Sequence, residues 1–284
     1  MLRQRAISAA ILIPPLVVVL LLGGPWITLL VVAIVGLAAS ETFSLLRAAG
    51  YPVLPLLGIA FAVAMALAIA VALDAPDAPA LGGASLLLAA VGLILVGVGA
   101  FARLDPRDGL AAWAATVFGA IYVSQLAFLV RLGQVAPAIP DDAPLSFLGT
   151  EQAWILLLVL GVWSYDTGAY LVGRRCGRRK FLSHISPSKT LEGLAGGLVA
   201  TTVVVTLGLW ALGQPAWHGL LLGPILGLVA QAGDLAESML KRAAGAKDSS
   251  GLIPGHGGIL DRIDSFLFAA PVVTLYASVI VALG

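Results

Sequence analysis

Residues 219–264 read GLLLGPILGLVAQAGDLAESMLKRAAGAKDSSGLIPGHGGILDRID. The stretch opens as an apolar run long enough to cross a hydrocarbon core of ~30 Å at 1.5 Å per helical residue. It closes as a polar loop holding four cations (Lys241, Arg242, Lys247, Arg262), three acids (Asp248, Asp261, Asp264) and a glycine-rich turn around His256. The same alternation, worked outward, decides the fold class. Apolar segments fall at 7–23, 26–40, 53–73, 82–102, 110–130, 153–173, 193–213, 219–240 and 266–283. The chain is 60% hydrophobic and 11% charged, with a mean hydropathy of +1.03. An all-α, polytopic transmembrane bundle of about nine spans is expected.

Loop charge sets the orientation. With Arg3 and Arg5 cytoplasmic, alternate turns bring Arg47, Arg103, Arg107, the cations of 174–189 and those of 241–262 to the same side. Of sixteen Lys and Arg, Arg131 alone falls opposite, together with Asp74, Asp77, Asp141, Asp142 and Glu151. That positive-inside asymmetry predicts N-in, C-out with the polar loops in the cytoplasm; a multi-pass protein of the plasma (inner) membrane is expected. The N-terminus has a charged start and an apolar run, yet no small-residue cleavage site follows. It reads as a first span kinked at Pro14–Pro15 rather than a leader. The single cysteine, Cys176, excludes an intramolecular disulfide, and a net charge of +1 with no basic–aromatic interleaving gives no sign of a nucleic-acid partner. The first five spans hold almost no polar residues. Residues 1–150 are therefore expected to be scaffold and residues 151–284 the catalytic region.

The polar residues of the second half suggest chemistry. Gln231, Asp234, Glu237/Ser238 and Lys241 follow at i, i+3, i+6/7 and i+10, one face of a helix. Such a face is either a solvated helix end or a set of metal and phosphate contacts. Asp261 and Asp264 are three apart, and with Asp234 would suit one or two Mg2+ ions; Asp264 alone would also suit a helix N-terminus. The turn at 253–258 reads either as a plain re-entrant turn or as a backbone anion cradle. His256 could donate to phosphate, act as a general acid, or simply pack. No G-x-x-x-x-G-K-[ST] run is present. Asp166 lies eight residues before Arg174 in an apolar segment and needs a partner, with Lys189, Lys241 or a metal as candidates. Arg174, Arg175, Arg178, Arg179 and Lys180 suit headgroup contact as well as topology. Ser186 and Pro187 have the order of an N-cap and first helical residue, so a helix is expected to start there, with Lys189 and Thr190 facing an anion. His184 and His218 have no nearby second ligand in sequence.

The segment from Ser238 to Asp264 resembles the signature of the phosphatidate cytidylyltransferase (CDP-diacylglycerol synthase) family. The matching positions are Ser238, Lys241, Arg242, Lys247, Asp248, His256, Gly257, Gly258, Asp261, Arg262 and Asp264. A second stretch, from Asp166 and Tyr170 through Ser186, Lys189 and Thr190 to Gly193, is also similar to the family. The resemblance implies that CTP and phosphatidate give CDP-diacylglycerol and pyrophosphate at the cytoplasmic face, with Mg2+, in a membrane homodimer. It implies Asp234, Asp261, Lys241 and His256 as catalytic groups, and Asp234, Asp261 and Asp264 as metal ligands. Substrate contacts would come from Asp166, Ser186, Lys189, Thr190, Ser238, Arg242, Lys247, Asp248, Gly257, Gly258 and Arg262. Arg175 and Arg179 would seat the lipid phosphate.

Two rivals use the same residues. A CTP-dependent lipid-alcohol kinase would need a general base, for which His256 or Asp166 could serve. An ion-coupled transporter would use Asp166 and Asp234 at the midplane, but the ionisable residues gather on one face instead of marking a path across. An alcohol phosphatidyltransferase would carry a D-G-x-x-A-R run, which is absent.

Overall fold

The computed structural model describes residues 2–71 and 81–283. Asp74 and Asp77, two of the acids expected on the outer side, lie outside the described residues. The helices are α1 (Leu2–Leu22), α2 (Gly24–Ala48), α3 (Pro55–Val71), α4 (Leu81–Ala100), α5 (Pro106–Ser124), α6 (Phe128–Val135), α7 (Thr150–Cys176), α8 (Leu191–Ala211), α9 (Gly219–Ala243) and α10 (Leu260–Leu283). Among the described residues there is no strand, only the isolated bridges Lys180–Thr190 and Ile253–Gly257. The protein is all-α. Within the described residues, every apolar segment read from the sequence falls on a helix, with 110–130 shared between α5, a 3-10 turn and α6. Six helical stretches among the described residues are long and apolar enough to cross a membrane: Gly24–Ala48, Pro106–Val135, Thr150–Cys176, Leu191–Ala211, Ala216–Ala243 and Leu260–Ile280. Pro55–Val71 and Leu86–Ala100 are shorter apolar helices. Pro14 and Pro15 stand inside α1, which runs through them as one helix.

The chain divides into two compact units, Met1–Arg131 with Met239–Ile263, and Leu132–Ser238 with Asp264–Gly284. In the first, α2 packs against α3 and α5. Its Val35, Ala38, Ala39 and Phe43 are fully buried, and the Phe43 ring fills space that Gly58 of α3 and Gly119 of α5 leave open. A Cβ on Gly119 would stand 2.7 Å from Phe43 Cε1. Asp105 caps α5 by accepting from Arg107 N–H at 2.8 Å, with Pro106 just inside. Large side chains such as Leu86, Leu95 and Phe118 are exposed, as expected of surfaces that meet lipid rather than water.

In the second unit α7 and α8 pack closely along their length, and small residues make that possible. A Cβ on Gly168 would lie 2.6 Å from Ala200 Cβ and 2.8 Å from the Gly196 carbonyl oxygen. Tyr165 is buried, and its hydroxyl donates to Gln231 Oε1 at 2.8 Å. α9 and α10 approach through Gly233, where a Cβ would be 3.0 Å from Ser265 Cα and 3.2 Å from the Asp264 carbonyl carbon. Asp234, the next residue, is thereby held beside the backbone that carries Asp264.

The expected helix start at Ser186–Pro187 is corrected. α8 begins at Leu191 with Thr190 as its N-cap, the hydroxyl accepting from Gly193 N–H at 3.1 Å. Residues before it are tied elsewhere: Ser186 N–H donates to Leu182 O, Lys189 N–H to Ser186 O, and Leu191 N–H to Arg179 O. Glu192 in the first turn accepts from the backbone N–H groups of Arg178 and Arg179. Pulling 178–180 alongside 190–192 leaves Ser186 in a turn, four residues before the actual cap.

Candidate functional site

The first unit holds a cluster built on the loop between α9 and α10. Lys241, near the C-terminal end of α9, is 9% exposed and donates to Asp261 Oδ1 at 2.6 Å. The other oxygen, Oδ2, receives Ser249 N–H and Gly258 N–H, each at 2.8 Å, and lies 2.8 Å from Ser249 Oγ. The loop is closed by the Ile253–Gly257 bridge, in which Ile253 N–H donates to Gly257 O at 2.8 Å. Gly255 and Gly257 sit at φ +78° and +82°, where a side chain is strained. At Gly257 a Cβ would also come within 2.6 Å of Asp261 Oδ2. The Gly-rich turn thus wraps its own aspartate, and the Gly258 amide serves Asp261. His256, half-buried, donates its N–H to Ile253 O at 2.9 Å and so helps to make the turn.

Glu41 of α2 also belongs to this cluster, and nothing in the sequence expectations pointed to it. The residue is 7% exposed. It accepts from Ser249 Oγ–H (3.0 Å), Ser250 Oγ–H (2.5 Å), Ile259 N–H (3.1 Å) and Leu260 N–H (2.8 Å). The only sequence signal was an ionisable residue inside an apolar helix, which requires a partner.

The second unit holds a second cluster. Lys189 Nζ is paired with Asp234 Oδ2, and Ser238 Oγ–H reaches Asp234 Oδ1 at 3.4 Å, one turn further along α9. Asp264 Oδ1 accepts from Ser265 N–H at 2.7 Å. Two of the candidate partners for Asp166 are thus engaged with other acids, Lys189 with Asp234 and Lys241 with Asp261; Asp166 itself is exposed on α7.

The remaining expected residues divide plainly. Arg242 donates to Ala246 O at 3.0 Å, within the loop it opens. Lys247, Asp248 and Arg262 are exposed in the first unit; Arg175 and Arg179 are exposed at and beyond the end of α7 in the second. Ser186 and Thr190 shape the turn before α8. His218 pairs with Tyr276 Oη at 2.6 Å and stacks edge-on with Trp217, and Cys176 is the exposed last residue of α7.

Among the described residues no three His, Cys, Asp or Glu side chains are gathered to hold a metal. Mg2+ takes only one or two protein carboxylates and completes its octahedron with water and phosphate, so the donor chemistry is the fair test. Asp234 and Asp264 present carboxylate oxygens within the second unit. Asp261 keeps an acceptor position on Oδ1 beside Lys241, whereas Oδ2 is filled by two amides. These hard oxygen donors fit the ion.

With this geometry in place, the comparisons identify the class. The chain belongs to the cytidylyltransferase family, whose sequence profile matches residues 3–280. It is 49% identical over 138 residues to a phosphatidate cytidylyltransferase of Synechocystis sp., covering 48% of this chain and 45% of that protein. The corresponding enzyme of Bacillus subtilis is 48% identical over 120 residues, covering 42% and 45%. That of Staphylococcus haemolyticus is 46% identical over 124 residues, covering 43% and 48%. The chain spans about half the length of the curated relatives it matches.

Proposed function

We propose that this protein is a membrane enzyme that transfers CMP from CTP to phosphatidate. A phosphate oxygen of the lipid attacks the α-phosphorus of CTP, the bond to the β-phosphate oxygen breaks, and pyrophosphate leaves as CDP-diacylglycerol forms. Such a transfer needs in-line positioning and neutralisation of negative charge more than covalent help. The lipid phosphate is already an oxyanion, so no strong base is required. The observation that carries the reading is the pairing of buried or half-buried lysines with the expected aspartates, Lys241 with Asp261 and Lys189 with Asp234. Each lysine is held in place by a carboxylate, and an ammonium so fixed suits a phosphate oxygen.

Lys241, Arg242 and Lys247 are assigned to the triphosphate, and Lys189 with Ser238 to one of the two reacting phosphates. Ser186, Thr190, Asp166, Asp248 and Arg262 are assigned supporting contacts; Arg175 and Arg179 are assigned to the lipid headgroup, where arginine gives bidentate phosphate contact. His256 is assigned a donor's role toward phosphate. Asp234 and Asp264 in the second unit, or Asp261 in the first, would hold Mg2+, which would supply charge neutralisation at the α-phosphate and on pyrophosphate. Nine membrane crossings, an N-in, C-out chain, a cytoplasmic site at the plasma membrane and a homodimer complete the reading. The segregation of Lys and Arg supports the orientation.

The test uses purified protein in detergent, phosphatidate, and CTP labelled at either the α- or the γ-phosphate. Label passing into lipid from the α-position alone is the expected outcome. Passage of the γ-label identifies a kinase, and no passage of either rejects the transferase reading.

A further inference from the structure

We infer that Glu41 is a positioning residue for Asp261, an inference that rests on the transferase reading for its kinetic part only. The carboxylate reaches from α2 across 208 to 219 positions of sequence to hold both ends of one loop. Ser249 and Ser250 are its departing end; Ile259 and Leu260 are its return and the start of α10. Each carboxylate oxygen accepts from one hydroxyl and one backbone N–H: Oε1 from Ser250 and Ile259, Oε2 from Ser249 and Leu260. The four acceptor positions of an ionised carboxylate are thereby filled. Ile259 and Leu260 supply N–H groups at the start of a helix, where the backbone lacks partners and favours negative charge.

The link to Asp261 runs through shared contacts. Ser249 Oγ lies 3.0 Å from Glu41 Oε2 and 2.8 Å from Asp261 Oδ2. The hydroxyl is thus within donating distance of both acids and its one proton is shared between them. The same serine's N–H stays on Asp261, which makes Ser249 a strut between the acids. Gly258 gives its N–H to Asp261, and a Cβ on it would fall 2.5 Å and 2.6 Å from the Glu41 oxygens. Asp261 directly follows Leu260, whose N–H Glu41 binds. Fixing Glu41 fixes the rotamer and height of Asp261, and through it Lys241.

Glu41→Gln keeps the shape but sets an NH2 against a backbone N–H whichever way the amide turns. Glu41→Asp keeps the charge and loses reach. The experiment compares hydrogen–deuterium exchange of the full-length protein in lipid nanodiscs with steady-state kinetics of CMP transfer. In Glu41→Gln the Ile259 and Leu260 amides should exchange about 10-fold faster, the scale set by losing a charge-assisted hydrogen bond. kcat should fall by about 10²-fold, as for a misplacement near 1 Å, with KM for CTP little changed. Glu41→Asp should retain more of kcat than Glu41→Gln. Thr42→Val, on the same helix and also buried, should leave both readouts near wild type. Unchanged loop exchange in Glu41→Gln overturns the inference, as does a loosened loop with normal kcat or a Thr42→Val effect of equal size. Should Glu41→Gln not accumulate, Ser250→Ala removes one donor and leaves the acid, and the same two readouts decide. If wild-type protein transfers no CMP, the proposed function fails, and the exchange comparison alone still decides whether Glu41 holds the loop.

Discussion

At the scale of the residue, the Lys241–Asp261 pair sets up a contrast between stability and turnover. Both side chains are nearly buried, 11% and 7% exposed. Removing one partner of a buried pair typically costs about 3–5 kcal/mol, because the other charge is left unpaired. Asp261→Asn should therefore lower the melting temperature as well as turnover, the latter by about 10²–10³-fold as for loss of a charge-stabilising group. The double variant Lys241→Gln with Asp261→Asn replaces the pair by neutral amides. It should recover much of the melting temperature and none of the turnover; joint recovery of both would show that neither charge takes part in the chemistry. The aspartate was legible in the sequence, since acids in an apolar chain are conspicuous. Glu41 was not, because its partners lie more than 200 positions away and no local spacing reports them.

Among the elements, the long helices were legible from the length and hydropathy of their apolar runs alone. The start of α8 was not. Ser186–Pro187 satisfies the local rule for a cap, and Thr190 with Glu192 satisfies it equally; the choice was made by the bridge from Lys180 to Thr190 and by the hold of Glu192 on residues 178 and 179. Tertiary contacts outvoted a local preference. Packing between α7 and α8 gives a sharper test of element-level reading. Gly168→Leu would drive a side chain into Ala200 and the Gly196 carbonyl, and overpacking of this kind costs about 1–3 kcal/mol. The variant should melt lower, and Ala200→Gly in the same chain should restore part of the loss. A melting temperature unmoved by Gly168→Leu would mean that α7 and α8 are not closely packed there.

For the molecule as a whole, orientation is the property that sequence speaks to most directly and side-chain geometry least. Single cysteines on a Cys176→Ser background report it. Gly251 is exposed with open space around it, and Ser146 is exposed in the loop before α7, so neither substitution disturbs packing. An impermeant thiol reagent applied to intact cells should label Ser146→Cys and leave Gly251→Cys unlabelled until lysis. The reverse pattern would invert the topology. Division into units was also beyond the sequence: residues 239–263 pack with the N-terminal helices rather than with their neighbours in the chain, a return journey that composition does not mark.

That return has a consequence in time. Ribosomes add roughly 5–20 residues per second, so the 208 positions between Glu41 and Ser249 correspond to roughly 10–40 s of synthesis. Throughout that interval α2 is complete, while the donors that will satisfy its carboxylate do not yet exist. The nascent N-terminal helices must wait with an acid held open, near water, headgroups or a chaperone, until α10 begins. A chain arrested at Ser238 never receives those donors, and quality-control proteases that read an unsettled acid in a membrane helix would have their cue in Glu41.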